Sequence, residues 1–350
     1  MGRSKRTEKK AKNKMAERKE KYQEKTWKKD VKKPKKKSLL ARFIGKVLLL
    51  IMVFILLASV YIGYKTYENG GGVVGFLCAI MGQSRSDLSN LGTVDVLILG
   101  VSKDIQADLT DTIMIVRFNP QTGKIALLSI PRDTFVGKNK ETAKGSDKIN
   151  SLYTKGTDKL KQEIEELTSI EIEYYAVVSN DAVINIVDII GGIWFDVPID
   201  MNYDDPTQDL HIHIEKGYQL INGEKAEQLL RFRHNNDGTS YPASYGDNDF
   251  GRMKTQRSFI EETLKQLIDI KNVPKIMNIK NAIFSNIETN ANEEELKQYI
   301  PLSPLIDVSN IKSYQLPGQS ERCNELWFFV HNQSKTNEIV KEMCNYVDGK

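Results

Sequence analysis

Cysteine is scarce in this chain. Cys78, Cys323 and Cys344 are the three present among 350 residues, too few for a disulfide scaffold or a cysteine-rich zinc module. With 23 glycines and 10 prolines, a collagen-like or low-complexity chain is excluded. The apolar content includes a single run long enough to cross a bilayer, which excludes a multi-spanning membrane protein. No P-loop, G-x-G-x-x-G, H-E-x-x-H or G-x-S-x-G pattern occurs, so the readily read enzyme signatures are missing. Histidine is also sparse, at four residues. His211 and His213 are two apart on an expected strand and share a face. That spacing suits a metal, but the sequence offers no evident third ligand and a solvated edge strand is the better reading. His234 and His331 form no constellation.

What is present is divided by charge. Residues 1–37 hold 18 basic against 5 acidic side chains, whereas residues 38–350 hold 32 against 41. The basic balance therefore belongs to a tail and the remainder is acidic, which argues against a nucleic acid partner. The tail has almost no apolar residues and reads as a disordered segment. Val47 to Tyr64 follow without a charge, and 18 residues at about 1.5 Å each span roughly one bilayer core. The long charged segment before it and the bulky residues after it favour a retained anchor over a cleaved signal peptide. Lysines crowd its N-terminal flank, so the tail is expected in the cytoplasm and the remainder outside. Membrane lipid is then a partner, and a Cys323–Cys344 bridge is permitted though not implied. The expected organisation is a tail over 1–37, a transmembrane helix over 38–64, a membrane-proximal connector over 65–92 and one domain over 93–350.

The domain alternates strands and helices. Val94–Gly100, Thr112–Phe118 and Lys124–Ile130 read as strands, the last two joined by a hairpin turn at Asn119–Gly123. Asp158–Leu167 has helical spacing, Tyr174–Ser179 reads as a strand, and Asp181–Ile190 as a helix stopped by Gly191 and Gly192. Ile193–Val197 and His211–Ile214 read as further strands. Asn222–Leu230, Arg252–Ile270 and Asn337–Tyr346 read as helices. This pattern predicts a layered α/β domain with a mixed sheet.

Arginine occupies special places. Arg132 and Asp133 follow a strand, where open α/β sheets put ligand sites. Arg231 and Arg233 flank Phe232 at a helix end, so in extended geometry both point to one side and Phe232 to the other. Arg252 and Gln256 lie one helical turn apart on one face. Three segments each offering a planar guanidinium suggest a phosphate or carboxylate clamp, although three surface ion pairs are, on spacing alone, the slightly simpler account. Carboxylates tilt the reading. Asp111 opens a strand, Asp104 and Asp108 precede it, and a hard cation beside phosphate needs such oxygens. Asp204 and Asp205 are a second pair, in what also reads as an ordinary turn.

At these residues the chain resembles the LytR–CpsA–Psr family. The resemblance rests on VDVLILG (Val94–Gly100), Asp111–Met114, SIPRDT (Ser129–Thr134), Lys148–Asn150, VDIIGGI (Val187–Ile193), MNYDDP (Met201–Pro206), GYQLINGEKA (Gly217–Ala226), Arg231–Arg233 and DFGR (Asp249–Arg252) with Gln256. It implies an α/β/α sandwich with a central mixed sheet, displayed outside a Gram-positive-type cell. It also implies transfer of a teichoic acid or capsular polysaccharide from undecaprenyl pyrophosphate to peptidoglycan, at the C6 hydroxyl of N-acetylmuramic acid, forming a phosphodiester. By the same resemblance Arg132, Arg231, Arg233, Arg252 and Gln256 hold the pyrophosphate, and Lys148 lies near the head group. Asp111 holds Mg²⁺, with Mn²⁺ as an alternative, and Asp133 either accepts the acceptor proton or orients Arg132. The chain departs from the family pattern at Ser102, where Asp is usual, and at Leu109 and Thr255, where Arg is usual. Asp104 or Asp108 is then the expected substitute carboxylate. The departures also motivate an alternative, a non-catalytic or weakly hydrolytic polyprenyl-phosphate-binding protein of envelope assembly.

Overall fold

The computed structural model describes residues 4–30, 39–103, 108–207, 209–246, 248–267 and 276–350. The chain divides into two units, Met1–Tyr61 and Ile62–Lys350. The first holds helix α1 (Ser4–Asp30) and most of α2 (Leu39–Glu68). The tail was expected to be disordered; in this structure Ser4–Asp30 is helical. Its Lys, Glu, Ala, Arg and Gln residues are strong helix formers, so it is helical although residues 10–23 are all exposed and bury nothing. Within α2, Lys46–Glu68 is long and apolar enough to cross a membrane.

The second unit starts with α3 (Gly72–Met81) and α4 (Arg85–Leu88). These fall in the stretch expected to be a connector, yet Val74, Cys78 and Leu88 pack with Leu302 into a small core of their own. Glycine-rich punctuation at 70–72 concealed that apolar face.

The central sheet uses β1 (Val94–Lys103), β2 (Asp108–Asn119), β3 (Lys124–Ser129) and β4 (Tyr174–Ser179), with the helices α5 (Thr157–Thr168) and α6 (Asn180–Ile190) interleaved. Two hairpin-forming pairs follow: β5 (Ile193–Val197) with β8 (Gly217–Ile221), enclosing β6 (Met201–Asp205) with β7 (Leu210–Ile214). Then come α7 (Gly223–Arg231), α8 (Asn248–Leu267), α9 (Ile276–Asn286), β9 (Ile287–Thr289) and α10 (Glu293–Lys297). The chain closes with β10 (Lys312–Gln315), the hairpin β11 (Gly318–Cys323) and β12 (Leu326–His331), and α11 (Gln333–Asp348).

Strand order in the six-stranded sheet is β10-β3-β2-β1-β4-β9. It is mixed, because β1 runs parallel to β4 and β3 parallel to β10, while β1–β2, β2–β3 and β4–β9 are antiparallel. Alternation along the strands splits the apolar residues between two faces. Leu97, Leu99, Ile113, Ile115 and Leu128 pack against α5 and α11 through Leu160, Ile164, Met343 and Val347. Met114, Ile125 and Leu127 face the other way, onto Ile260 and Leu264 of α8. The result is an α/β/α sandwich. A second core joins α6 and α7 to the β5–β8 hairpins through Val187, Ile193, Phe195, Ile212 and Leu229.

Local signals place these elements. The Ser179 hydroxyl accepts from the Ala182 N–H to start α6, and Gly191, at φ 101°, ends it in the left-handed region. The helix thus starts one residue before the expected Asp181, with Ser179 as its cap. Asp204 and Asp205 lie in β6 rather than in a turn. The strands β8 and β10–β12 went unread in the sequence because they are short and partly exposed. All three cysteines are free, with Cys78 and Cys323 buried.

Candidate active site

Arg132 is placed by a turn that the neighbouring backbone locks. β3 stops at Ser129, and both the N–H and the hydroxyl of Thr134 donate to the Pro131 carbonyl, at 3.0 and 2.6 Å. The Asn150 N–H donates to the Arg132 carbonyl at 3.1 Å and the Phe329 N–H to the Asp133 carbonyl at 2.9 Å. The Lys148–Asn150 segment therefore braces the arginine loop through its backbone.

Arg231 and Arg233 are placed by a switch of backbone period. α7 ends at Arg231 and Phe232 turns extended, at φ −62° and ψ 134°. Its ring is 1% exposed and meets Tyr241 edge-on at 5.5 Å, while the arginines on either side both line the cavity described below. Arg252 rides on the first turn of α8, where a close approach requires glycine beside it: a Cβ on Gly251 would sit 2.2 Å from Tyr241 Cδ2 and 2.3 Å from the Gly246 carbonyl. One turn on, Gln256 donates to the Leu230 carbonyl at 2.9 Å, tying α8 to the end of α7.

These groups meet around Asp111. Its Oδ1 accepts from Arg132 Nη1 and lies 3.5 Å from Arg233 Nη2 and 3.9 Å from Arg252 Nη1. Arg252 Nη2 also donates to the Asp111 carbonyl at 3.2 Å. Asp249 supplies a second counter-charge, 2.7 Å from Arg252 Nη2 and 3.5 Å from Arg233 Nε. Arg231 pairs with Glu227 at 2.6 Å, and Asn180 donates to the same carboxylate at 3.2 Å. Asp249 and Glu227 were not singled out as site residues, although their spacings to Arg252 and Arg231 (three and four residues) put each pair on one helix face.

Crowding sets the electrostatics. Burial pushes the Arg252 pKa down to about 10, with Asp249 opposing and the charges of Arg233 and Arg132 adding to the depression. Burial likewise lowers Arg233, helped by Arg132. At Arg132 burial is the largest single influence and also acts downward, but Asp249, Asp111 and Asp133 together outweigh it and raise the pKa. The Nε–H groups of Arg132 and Arg252 are buried without a hydrogen-bond acceptor. A buried donor left unmet is costly, and an incoming oxyanion would satisfy it.

The cluster forms the polar end of a cavity of about 540 Å³. Four guanidinium groups and two carboxylates, Asp111 and Glu227, line it, while Ile98, Val178, Ile186, Val187, Phe259 and Leu264 make much of the rest apolar. A charged head joined to a hydrocarbon body matches this division. Asp111, Arg132, Arg231, Arg233, Arg252 and Gln256 thus all line this one cavity. Asp133 and Lys148 do not line the cavity. They pair with each other at 2.7 Å, and Asp133 lies 3.8 Å from Arg132 Nε, the position of a group that holds Arg132. Asp104 lies outside the described residues, and of Asp108 only the backbone, in β2, is described. Magnesium is commonly held by one or two carboxylates plus substrate phosphates. Asp111, a carboxylate that opens on the cavity beside four guanidinium groups, has the oxygen donor such an ion takes.

The sequence model of the LytR_cpsA_psr family matches residues 79–345. The polyisoprenyl-teichoic acid–peptidoglycan teichoic acid transferase TagV of Bacillus subtilis is 28% identical over 321 residues, covering 87% of this chain and 80% of that protein. Biofilm regulatory protein A of Streptococcus mutans is 30% identical over 221 residues, 60% of this chain and 51% of that protein, so the chain spans about half the length of that relative. The crystal structure of B. subtilis TagV superposes with a TM-score of 0.61 at 24% identity, over 73% of this chain and 98% of the other, which is a likeness of fold.

Proposed function

Because this chain belongs to the LytR_cpsA_psr family, we propose that it is a membrane-anchored phosphotransferase acting on a cell-wall glycopolymer. In this reading it moves a teichoic acid or capsular polysaccharide from an undecaprenyl-pyrophosphate carrier to peptidoglycan. The observation that carries the reading is the cavity, which is lined both by four guanidinium groups and by a set of apolar side chains. A diphosphate joined to a polyprenyl chain divides its chemistry in the same way. A relative named as a polyisoprenyl-teichoic acid–peptidoglycan teichoic acid transferase supports it.

Arg132, Arg231, Arg233, Arg252 and Gln256 bind the diphosphate oxygens, and Asp133 with Lys148 positions Arg132. Mg²⁺ or Mn²⁺ held by Asp111 would supply further neutralisation of phosphate charge. A peptidoglycan hydroxyl attacks the phosphorus that carries the sugar, forming a phosphodiester. The P–O bond to the carrier breaks, its electron pair leaves with undecaprenyl phosphate, and the hydroxyl proton passes to solvent or a nearby carboxylate. Such transfer needs little from the protein beyond positioning and charge stabilisation. The basic residues before the apolar span support an orientation with the N-terminus in the cytoplasm and the transferase domain outside.

The test is incubation of the full-length chain in detergent with a polyprenyl-pyrophosphate-linked glycan, with and without Mg²⁺ and a peptidoglycan acceptor, followed by mass spectrometry. Metal-dependent release of polyprenyl monophosphate that disappears in Arg231→Ala is expected. Turnover independent of Arg231 would refute the site. Lipid retained unreacted, under conditions where a family transferase turns over, would identify a binding protein and make Ser102 and Leu109 the relevant departures.

A further inference from the structure

We propose that the outer face of the β6–β7 hairpin is a binding site for a transition-metal dication of the zinc class, held by Asp204, His211 and His213. The proposal is separate from the diphosphate cavity and does not rest on the transferase reading. The sequence showed two histidines on one strand face and no third ligand. Strand pairing supplies it: β6 runs antiparallel to β7 with Asp204 opposite His211 and Asn202 opposite His213. All four side chains therefore stand on the same exposed face.

Ligand atoms of the three groups lie within 4.8 Å of one another. His211 Nδ1 is 2.6 Å from Asp204 Oδ1, and His213 Nε2 is 3.2 Å from that same oxygen. Donors about 2.0–2.1 Å from a tetrahedral zinc ion are roughly 3.3 Å apart, so the His213–Asp204 separation already fits, the His211–Asp204 one opens by under about 1 Å, and the two imidazoles, within 4.8 Å of each other, close by at most about 1.5 Å. Hydrogen bonding explains why a cation belongs there. His213 Nδ1 lies 2.8 Å from Asn202 Oδ1, an atom that only accepts, so the ring proton sits on Nδ1. His213 Nε2 is thereby turned toward the Asp204 carboxylate, 3.2 Å from Oδ1. A hydrogen-bond partner on the other ring nitrogen, fixing the imidazole tautomer, is a recurring feature of metal-binding histidines.

The scaffold is preorganised. Met201, Leu210, Ile212 and Ile214 bury the opposite face of the hairpin in the second core. Asn236 accepts from the Asp204 N–H at 2.7 Å, and Asn235 accepts from the Asn202 N–H at 2.7 Å. Side-chain exposures of 57%, 57% and 44% for His211, His213 and Asp204 leave room for water in the remaining coordination positions. Two imidazoles and one carboxylate favour zinc, copper or nickel over magnesium. A bound ion would pin β6 to β7, whose Tyr203 and Leu210 line the diphosphate cavity.

The experiment is isothermal titration of the full-length chain, purified without a polyhistidine tag in detergent, with Zn²⁺ in excess Mg²⁺. One saturable zinc equivalent is expected. Asp204→Asn, His211→Ala and His213→Ala should each weaken it by at least about tenfold, while Asp111→Asn leaves it in place. The substituted side chains are exposed, and thermal unfolding in a chelator checks that each variant is folded. No saturable zinc binding, or binding that survives His213→Ala and His211→Ala unchanged, overturns the proposal.

Discussion

Replacing Arg252 with methionine should separate stability from ligand binding. The side chain is 3% exposed, and burial with neighbouring positive charge depresses its pKa to about 10. At about 1.4 kcal/mol per pH unit, that depression corresponds to roughly 3 kcal/mol of destabilisation of the charged form in the free protein. The sign follows from proton counting. Because a basic group has its folded pKa below the unfolded one, the unfolded chain binds more protons across the window between them. Stability therefore rises with pH only above about 10, and at neutral pH the penalty is fully present. Methionine removes the penalty and keeps most of the volume. It also takes the 2.7 Å partner from Asp249, which is 32% exposed and keeps Arg233 at 3.5 Å. The depression already includes the Asp249 attraction, so what opposes the gain is the lost hydrogen bond to the Asp111 carbonyl and the packing that methionine does not reproduce, and the variant should unfold within about 1–2 kcal/mol of the parent, or a few degrees in Tm. Binding of inorganic pyrophosphate, by contrast, loses a charge-assisted contact of about 1.5–3 kcal/mol, roughly a 10- to 150-fold weaker Kd. Thermal unfolding of the full-length chain with and without pyrophosphate reads both quantities. A variant that loses more than about 4 kcal/mol of stability, or that binds pyrophosphate as tightly as the parent, would refute the reasoning.

Gly251→Ala should lower Tm and kcat/KM together, by about 1–3 kcal/mol of stability, because its Cβ would overlap Tyr241 and the Gly246 carbonyl and displace the helix start that carries Arg252. Phe232→Ala should cost about 3–5 kcal/mol, measured by unfolding, since its ring is 1% exposed between the two cavity arginines. Asp111→Asn should abolish the Mg²⁺ dependence of carrier release and reduce turnover by about a hundredfold or more, measured in the mass-spectrometric assay. Burial raises the Asp95 pKa to about 6, with Arg117 opposing and Asp348 and Glu173 reinforcing the rise. An acid whose folded pKa is raised binds more protons when folded, so this residue adds about 1 kcal/mol of stability as pH falls from 7.5 to 5. That increment should be absent when Tm is followed over the same range in Asp95→Asn.

Much of this was legible in the sequence. The strands β1 to β4 and the helices α5, α6 and α7 announce themselves through period and caps, because each buries one face and so must repeat at 2 or 3.6 residues. The alternation of Arg231, Phe232 and Arg233 likewise carries its own geometry, since an extended tripeptide sends its outer side chains one way and its centre the other. The strands β8 and β10–β12 were illegible because short, partly exposed strands need no strict pattern. The helical tail was misread because low apolar content argues against a core, not against a helix made of good helix formers. In the same way, the apolar face of α3 had no meaning until Leu302 was brought to it.

By itself the sequence determined the regularly patterned elements, the apolar anchor segment and the residue types available for a phosphate clamp. Which of them meet was decided by the tertiary structure alone. Asp111, Arg132, Arg233 and Arg252 come from four distant segments, and their convergence follows from strand order and helix docking. Asp133 and Lys148 share motifs with those residues, yet pair with each other at 2.7 Å, off the cavity wall. Asp204 reaches His211 and His213 only because β6 pairs with β7 in one register. Local sequence sets a backbone's period and which face a side chain takes. It does not set the partner across a sheet or between layers, because that choice is made by the burial of surfaces far apart in the chain.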